Sequence, residues 1–276
     1  MAYKRILTIQ DISCVGQCSM TVALPILSAC GHETCVLPTA LLSTHTGGFG
    51  KPAVVHFDGT LTEIWNHWDS CGIRFDGILV GYLGSIQAIE TAGEIMDRLL
   101  VPGGISIVDP AMGDNGKLYA GFDMAYVREM KRLCEKADVI LPNITEAALL
   151  SGNPYRENLD SCYVNKLLED LPEAQVVLTG VGYDEGQTGV MLKQGDSRRY
   201  FPHERIGKSY HGTGDIFAAC FTGVWMQGKS MEESIEISEE FTRKSIENTV
   251  KCSKHWYGVK FETVLPELTA RLGQGE

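Results

Sequence analysis

The tetrapeptide Gly212-Thr213-Gly214-Asp215 combines two glycines with a carboxylate directly before an apolar helical stretch. Glycine lets the backbone approach a bound group closely, and the free N–H groups in the first turn of a helix point at an anion. A carboxylate beside such a cradle can take a proton from a hydroxyl while the amides stabilise charge on a transferring phosphoryl group. The pattern therefore predicts a small-molecule kinase. On these four residues alone, a glycine-rich turn in which Asp215 only favours the helix dipole is an equally good alternative.

The elements that must position this turn are short β-branched runs alternating with helical stretches, a pattern typical of crossover units and a largely parallel sheet. The predicted strands are 5–10, 34–38, 77–82, 105–109, 139–142 and 175–180. The predicted helices between them are 20–29, 85–100, 124–136, 145–150 and 162–171.

After residue 180 the pattern changes. Runs 189–193 and 198–201, separated by a polar turn, predict an antiparallel hairpin at the sheet edge. The last third is helical: one helix follows Asp215 and stops at Gly228, and the next opens with a capping box of Ser230 and Glu233. Because no linker or internal repeat interrupts the pattern, we expect residues 1–276 to form a single domain.

Polar residues recur where the predicted strands end. In an open α/β sheet, ligands bind beyond the carboxyl ends of the parallel strands, so these residues are expected to share one site. They are Asp11, Tyr82, Asp109, Asp114, Asn143, Glu146 and Thr179. Oxygen ligands suit Mg²⁺ and backbone donors suit phosphates. Each residue alone could simply end a strand, start a helix or fill the core, but their shared location favours a nucleotide site.

The composition limits the classes of partner. The 276 residues carry a formal net charge of -11, which argues against a nucleic-acid partner, and 44% of them are hydrophobic, enough for a sizeable core. We find no signal peptide and no apolar run long enough to span a membrane, so we expect no membrane partner and a cytoplasmic location. The spacing of the nine cysteines completes no zinc site and predicts free thiols.

The ordered motifs resemble the ribokinase superfamily and, within it, the vitamin B6 kinases. The resemblance covers nearly the whole chain and rests on residues 7–10, 44–47, 80–82, 109–110, 113–114, 142–146 and 212–215. It implies a three-layer α/β/α sandwich with a mostly parallel central sheet and an antiparallel edge hairpin. It also implies ATP-dependent phosphorylation of the 5′-hydroxymethyl group of pyridoxal, pyridoxine or pyridoxamine to the 5′-phosphate. The implied assembly is a homodimer.

The resemblance assigns a role to each motif. Asp215 becomes the base that deprotonates the substrate hydroxyl, and the amides of Gly212, Thr213 and Gly214 become the anion hole. Thr46 and Tyr82 would contact the pyridine ring.

On the nucleotide side, Asp109, Asn143 and Glu146 would organise Mg²⁺ and the phosphates largely through water, with Asp109 and Glu146 as the metal residues. Asp114 and Thr179 would lie nearby, and Tyr119 would cover the phosphates. K⁺ is a further candidate ion.

Two departures from the family pattern concern the substrate. Asp11 stands where many B6 kinases carry serine, and we expect its carboxylate to favour an amine or alcohol at the 4′ position over an aldehyde. His211 replaces a more usual apolar residue before the catalytic turn.

Hydroxymethylpyrimidine kinase, with the same fold and a similar substrate, is the alternative enzyme, and a non-catalytic B6-binding protein is the alternative from another class. Neither His45 nor His211 is assigned a chemical step.

Overall fold

The computed structural model describes residues 3–207 and 210–273. The central feature of these residues is a nine-stranded sheet with the order β11-β10-β9-β8-β5-β4-β1-β2-β3. Its strands are β1 Arg5–Ser13, β2 Glu33–Leu42, β3 Val54–His56, β4 Phe75–Val80, β5 Leu100–Val108, β8 Val139–Ile140, β9 Gln175–Thr179, β10 Gln187–Gln194 and β11 Ser197–Glu204. The short strands β6 Gly113–Asp114 and β7 Lys117–Leu118 form a separate antiparallel pair.

The six strands from β9 to β2 in this order pair in parallel. The carboxyl ends of these strands therefore lie at one edge of the sheet. The predicted antiparallel hairpin is confirmed as β10 and β11, and β3 adds an antiparallel strand at the opposite side of the sheet.

Helices cover both faces of the sheet. They are α1 Met20–Ala29, α2 Asp58–Ser70, α3 Ile86–Leu99, α4 Met124–Cys134, α5 Ile144–Ser151, α6 Ser161–Asp170, α7 Thr213–Met226, α8 Met231–Val250 and α9 Leu265–Gly273, with a 3₁₀ turn at Phe261–Thr263. Alternate strand residues enter different cores: Leu7 packs with α2 to α6, whereas Ile6 packs with α1 and α7 to α9. The expected three-layer α/β/α architecture is confirmed.

Helix α7 is the element that positions the turn at residues 212–215, for which the sequence predicts catalysis. Ten of its residues are buried, so it runs through a core rather than along the surface. The glycine at 223 lies against α1, because a Cβ there would stand 2.6 Å from the sulfur of Cys30. This close packing holds α7, which begins at Thr213, against α1.

Several boundaries match the sequence prediction and others do not. Helix α1 has the predicted limits, and the capping box of α8 is confirmed, with Ser230 and Glu233 exchanging both hydrogen bonds. The sequence prediction missed α2, in which only Leu61 and Trp65 are buried, and the three-residue β3.

All nine cysteines are free, as predicted, and among the described helices none is long and apolar enough to cross a membrane.

Candidate active site

The catalytic turn opens α7 with an unusual backbone. Gly212 is the N-cap in the left-handed region, with φ of 81°, and a Cβ there would collide with the carbonyl oxygen of Gln17. Only glycine satisfies both conditions. Within the described chain, no atom lies within 4 Å of the place where a Cβ of Gly214 would stand. The space beside Gly214 is therefore open, and the first amides of an α-helix have no partner within the helix, as an anion hole requires.

Asp215 lies in the first turn of α7 and is partly buried. The pKa of this carboxyl is raised to about 6, mainly by burial and to a smaller extent by the nearby charge of Asp11. A hydrogen bond from the backbone N–H of Ser19 acts in the opposite direction and favours the carboxylate. A carboxylate whose pKa lies just below neutrality is ionised at pH 7 yet basic enough to accept a proton, which suits general-base catalysis.

Asp11 is buried near Asp215, with 4% of its surface exposed. The sequence placed it after the first strand, whereas the structure extends β1 through Asp11 to Ser13, with a shift in the β1–β2 register at this point. Register irregularities of this kind redirect side chains near active sites. The Ser13 hydroxyl donates to Asp11 at 3.0 Å. Burial raises the pKa of Asp11, while hydrogen bonds from Ser19 and Ser13 lower it.

Tyr82 forms an aromatic wall next to Asp11. It follows β4, and its ring stacks on Phe122 at 5.5 Å, which in turn stacks on Tyr126 at 3.8 Å. Burial, with a contribution from the charge of Asp11, raises the pKa of Tyr82 to about 12. The sequence prediction missed Phe122 and Tyr126. Phe122 precedes α4 and Tyr126 lies in its first turn, so helix periodicity could not have linked them.

The loop with Thr46 approaches the catalytic turn from the opposite side. Thr46 itself is exposed, but the neighbouring His45 lies 4.6 Å from the ring of His211, between ring centroids. The amide of Gly47 donates to Nδ1 of His45 at 3.0 Å. Burial, followed by the charge of His211, lowers the pKa of His45. The two histidines left without a role in the sequence thus join the substrate-side loop to the turn before α7.

On the nucleotide side, Asn143 and Glu146 form a closed capping box at the start of α5. Oδ1 of Asn143 accepts from the amide of Glu146, and Oε2 of Glu146 accepts from the amide of Asn143, each at 2.9 Å. Oε1 of Glu146 also accepts from the amide of Met112 at 3.2 Å, and Nδ2 of Asn143 donates to the carbonyl of Gly113 at 2.9 Å. Both side chains therefore also hold the segment after β5 in place.

The remaining predicted nucleotide residues surround this box. Asp109 follows β5, and Thr179 at the end of β9 bridges to the backbone of Asn143. Asp114 is exposed in the β6–β7 turn and accepts from Asn115. Burial raises the pKa of Tyr119, and the charges that add to this effect are, in order, Glu146, Asp109, Asp114 and Asp215. The phenol thus lies among carboxylates contributed by separate parts of the chain.

A magnesium ion fits the chemistry of these carboxylates. Burial raises the pKa of both Asp109 and Glu146; the charge of Asp215 adds to the effect on Asp109, and the charge of Asp109 adds to the effect on Glu146. A cation nearby would relieve this unfavourable charge. Within residues 3–207 and 210–273, no group of three or more His, Cys, Asp or Glu side chains forms a metal cage. Mg²⁺ in kinases usually uses one or two carboxylates together with phosphates and water, so a cage is not required.

An anion cradle and a buried carboxylate at the carboxyl edge of a parallel sheet define a small-molecule phosphotransferase. The chain belongs to the phosphomethylpyrimidine kinase family, which matches residues 31–260.

Similar proteins narrow this class. A pyridoxine/pyridoxal/pyridoxamine kinase of Bordetella avium (strain 197N) is 28% identical over 257 residues, covering 86% of this chain and 82% of that protein. The crystal structure of pyridoxal kinase from Lactobacillus plantarum matches with a TM-score of 0.91 at 33% identity, covering 100% of both chains. A protein described as a phosphomethylpyrimidine kinase from Bacteroides thetaiotaomicron VPI-5482, crystallised with pyridoxal, matches with a TM-score of 0.89 at 33% identity, covering 97% of this chain and 96% of that one. The predicted membership of the vitamin B6 kinases is confirmed.

Proposed function

We propose that this protein transfers the γ-phosphoryl group of ATP to the 5′-hydroxymethyl group of pyridoxal, pyridoxine or pyridoxamine, giving the 5′-phosphate. The observation that carries this proposal is the position of Asp215 in the first turn of α7, next to Gly214 and the open space beside it. The relatives named above are B6 kinases, and the aromatic wall at Tyr82 suits a flat pyridine ring.

The proposed reaction assigns one step to Asp215 and another to the amides of the neighbouring turn. Asp215 accepts the proton of the 5′ hydroxyl, whose oxygen forms a bond to the γ-phosphorus of ATP. The bond between that phosphorus and the bridging oxygen of ADP breaks, and ADP keeps the electron pair. The amides of Gly212, Thr213 and Gly214 stabilise the negative charge on the phosphoryl oxygens during transfer.

The nucleotide is assigned to the residues that follow β5 and begin α5. Asp109, Asn143 and Glu146 would hold Mg²⁺ and the phosphates largely through water, and Asp114, Thr179 and Tyr119 would lie beside them. The ion would neutralise charge on the phosphates. The charge of Asp109, which raises the pKa of the buried Glu146, supports this assignment.

Three broader expectations accompany the activity. We propose a cytoplasmic homodimer in which each subunit is a single kinase domain. One continuous nine-stranded sheet supports the single domain. Gel filtration with light scattering tests the dimer.

A hydroxymethylpyrimidine kinase is the second candidate, because the family that matches the chain carries the description phosphomethylpyrimidine kinase. A coupled assay of ADP release with ATP, Mg²⁺ and each of the three B6 vitamers or hydroxymethylpyrimidine separates the candidates. We expect turnover with at least one vitamer and a lower kcat/KM for the pyrimidine. Turnover with the pyrimidine alone would select the second candidate, and vitamer binding without ADP release would favour the non-catalytic alternative.

A further inference from the structure

The substrate loop, residues 44–47, carries Thr46, which is assigned to the pyridine ring, and it is anchored to the segment after β1. The backbone N–H of His45 donates to the carbonyl of Val15 at 2.8 Å. The same residue also packs on the neighbouring Gly16, because a Cβ on that glycine would stand 2.5 Å from Cβ of His45. The loop therefore has a fixed position at His45.

The side chain of His45 closes the loop on itself. Its Nδ1 accepts a hydrogen bond from the amide of Gly47 at 3.0 Å, so the neutral ring carries its proton on Nε2. Thr46, the residue between these two, is exposed. Its side chain is therefore accessible to a ligand, on a backbone that is held on both sides.

The ring of His211 packs on this closed loop. It lies 4.6 Å from the ring of His45, between centroids. A Cβ on Gly47 would stand 2.6 Å from both Cε1 and Nε2 of His211, too close for a non-bonded contact, and 3.0 Å from Cε1 of His45. The φ of Gly47 is not positive, so the conformation of the backbone does not require glycine here. The space taken by the histidine rings does.

His211 also belongs to the catalytic turn. It directly precedes Gly212, the N-cap of α7, and Asp215 lies in the first turn of that helix. The next glycine of the chain after the loop, Gly48, packs instead on Trp256, whose ring carbon Cζ3 would stand 2.6 Å from a Cβ there. The contact at Gly47 therefore joins the substrate loop to the catalytic turn.

We infer that His211 is a positioning residue, whose ring holds the substrate loop against the catalytic turn so that a bound vitamer presents its 5′ hydroxyl to Asp215. This inference rests on the proposed function, because it takes Thr46 as a contact of the pyridine ring and Asp215 as the base. The ring acts through its bulk, by filling the space between Gly47 and the start of α7. Without it, the loop and the vitamer bound to it lose their fixed position relative to the base.

Substitutions on both sides of the contact test this role. His211→Ala removes the ring, whereas His211→Phe keeps a ring that can pack on the loop. Gly47→Ala adds the Cβ that would collide with His211, and a double variant with His211→Ala adds it where that ring is missing. The matched control is Gly59→Ala in α2, because within the described chain no atom lies within 4 Å of the place of its Cβ.

The experiment measures Kd for pyridoxal and for ATP by calorimetry, together with kcat, both KM values and Tm, on the full-length protein and these variants. For His211→Ala and for Gly47→Ala we expect Kd and KM for pyridoxal to rise about tenfold, as for a misplaced substrate contact, with Kd for ATP within about twofold of wild type. His211→Phe should stay within about threefold of wild type.

The double variant measures the contact itself. Because the added Cβ no longer meets the ring of His211, the two effects should not multiply, and Kd for pyridoxal should rise about tenfold rather than about a hundredfold. Gly59→Ala should match wild type in every constant.

Each other outcome decides against the inference or against the function. An unchanged Kd for pyridoxal in His211→Ala, an equal loss in His211→Phe, or multiplying effects in the double variant overturns the inference. A rise in Kd for both ligands with a lower Tm shows a general loss of structure and also overturns it. If the wild type binds pyridoxal without transferring phosphate to it, the proposed function fails while the Kd values still decide the inference. A wild type that does not bind pyridoxal overturns both.

Discussion

The two halves of the site use carboxylates in opposite ways. On the nucleotide side, both oxygens of Glu146 already accept backbone hydrogen bonds, and its capping partner Asn143 is bonded as well. On the catalytic side, Asp215 lies behind a turn whose Gly214 faces open space. The carboxylate of Glu146 is thus used mainly to hold the backbone, and it would attract an ion by its charge. The proposed role of Asp215 is instead to react with the substrate.

Replacing the catalytic carboxylate should have the largest effect. Asp215→Asn keeps the size of the side chain but cannot accept the proton, so we expect kcat to fall by about 10² to 10⁴, the usual range for a general base. Nucleotide binding, measured by calorimetry, should change little. Wild-type turnover in this variant would refute the assigned role.

Glu146→Gln tests the nucleotide side and should have an intermediate effect. Glutamine can still complete a capping box, so the fold should be retained while one negative charge is lost. We expect the Mg²⁺ concentration for half-maximal rate to rise about tenfold, as for loss of an outer ligand of a metal, without a change in KM for pyridoxal.

The capping box of α8 supplies the control for that experiment. Glu233 occupies the same position in its box as Glu146 does in the box of α5, but it lies outside the site. Glu233→Gln should leave the magnesium titration unchanged. Equal titrations for all three proteins would count against a place for Glu146 beside the metal.

Asp11→Ser should have the smallest effect and concerns the choice of vitamer. If the carboxylate of Asp11 accepts a hydrogen bond from an amine or alcohol at the 4′ position, its loss should lower kcat/KM for pyridoxamine and pyridoxine relative to pyridoxal. We expect a change of about fivefold, the scale of one hydrogen bond of about 1 kcal/mol. Asp76→Ser, in β4, should alter stability without altering this ratio. An unchanged order of preference in Asp11→Ser would contradict the hypothesis.

The sequence predicted the site wherever local signals determine position. The ends of parallel strands share an edge, so Asp11, Tyr82, Asp109 and Asn143 could be grouped before the structure was known. That grouping matches the structure, although the individual roles stay predictions.

What the sequence could not reveal depends on tertiary contacts. The left-handed backbone of Ser19 has no signal in residue type, because serine rarely adopts it, and the contact between His45 and His211 joins residues far apart in the chain. Helix α2 was missed because its mostly exposed surface gives a weak apolar period. The sequence offered Thr145 and Glu146 as an N-cap and first turn of the predicted helix, whereas the structure begins α5 two residues earlier, with Asn143 as the N-cap and Glu146 completing the capping box.

The pH dependence of kcat/KM for pyridoxal tests the central claim most directly. Because burial raises the pKa of Asp215 to about 6 and the ionised form is the base, activity should be full above that pH and decline as the pH falls through it. In Asp215→Asn, the residual activity should lack this acidic limb. A wild-type profile that is flat between about pH 5 and 8, or an acidic limb that survives in the variant, would show that another group accepts the proton.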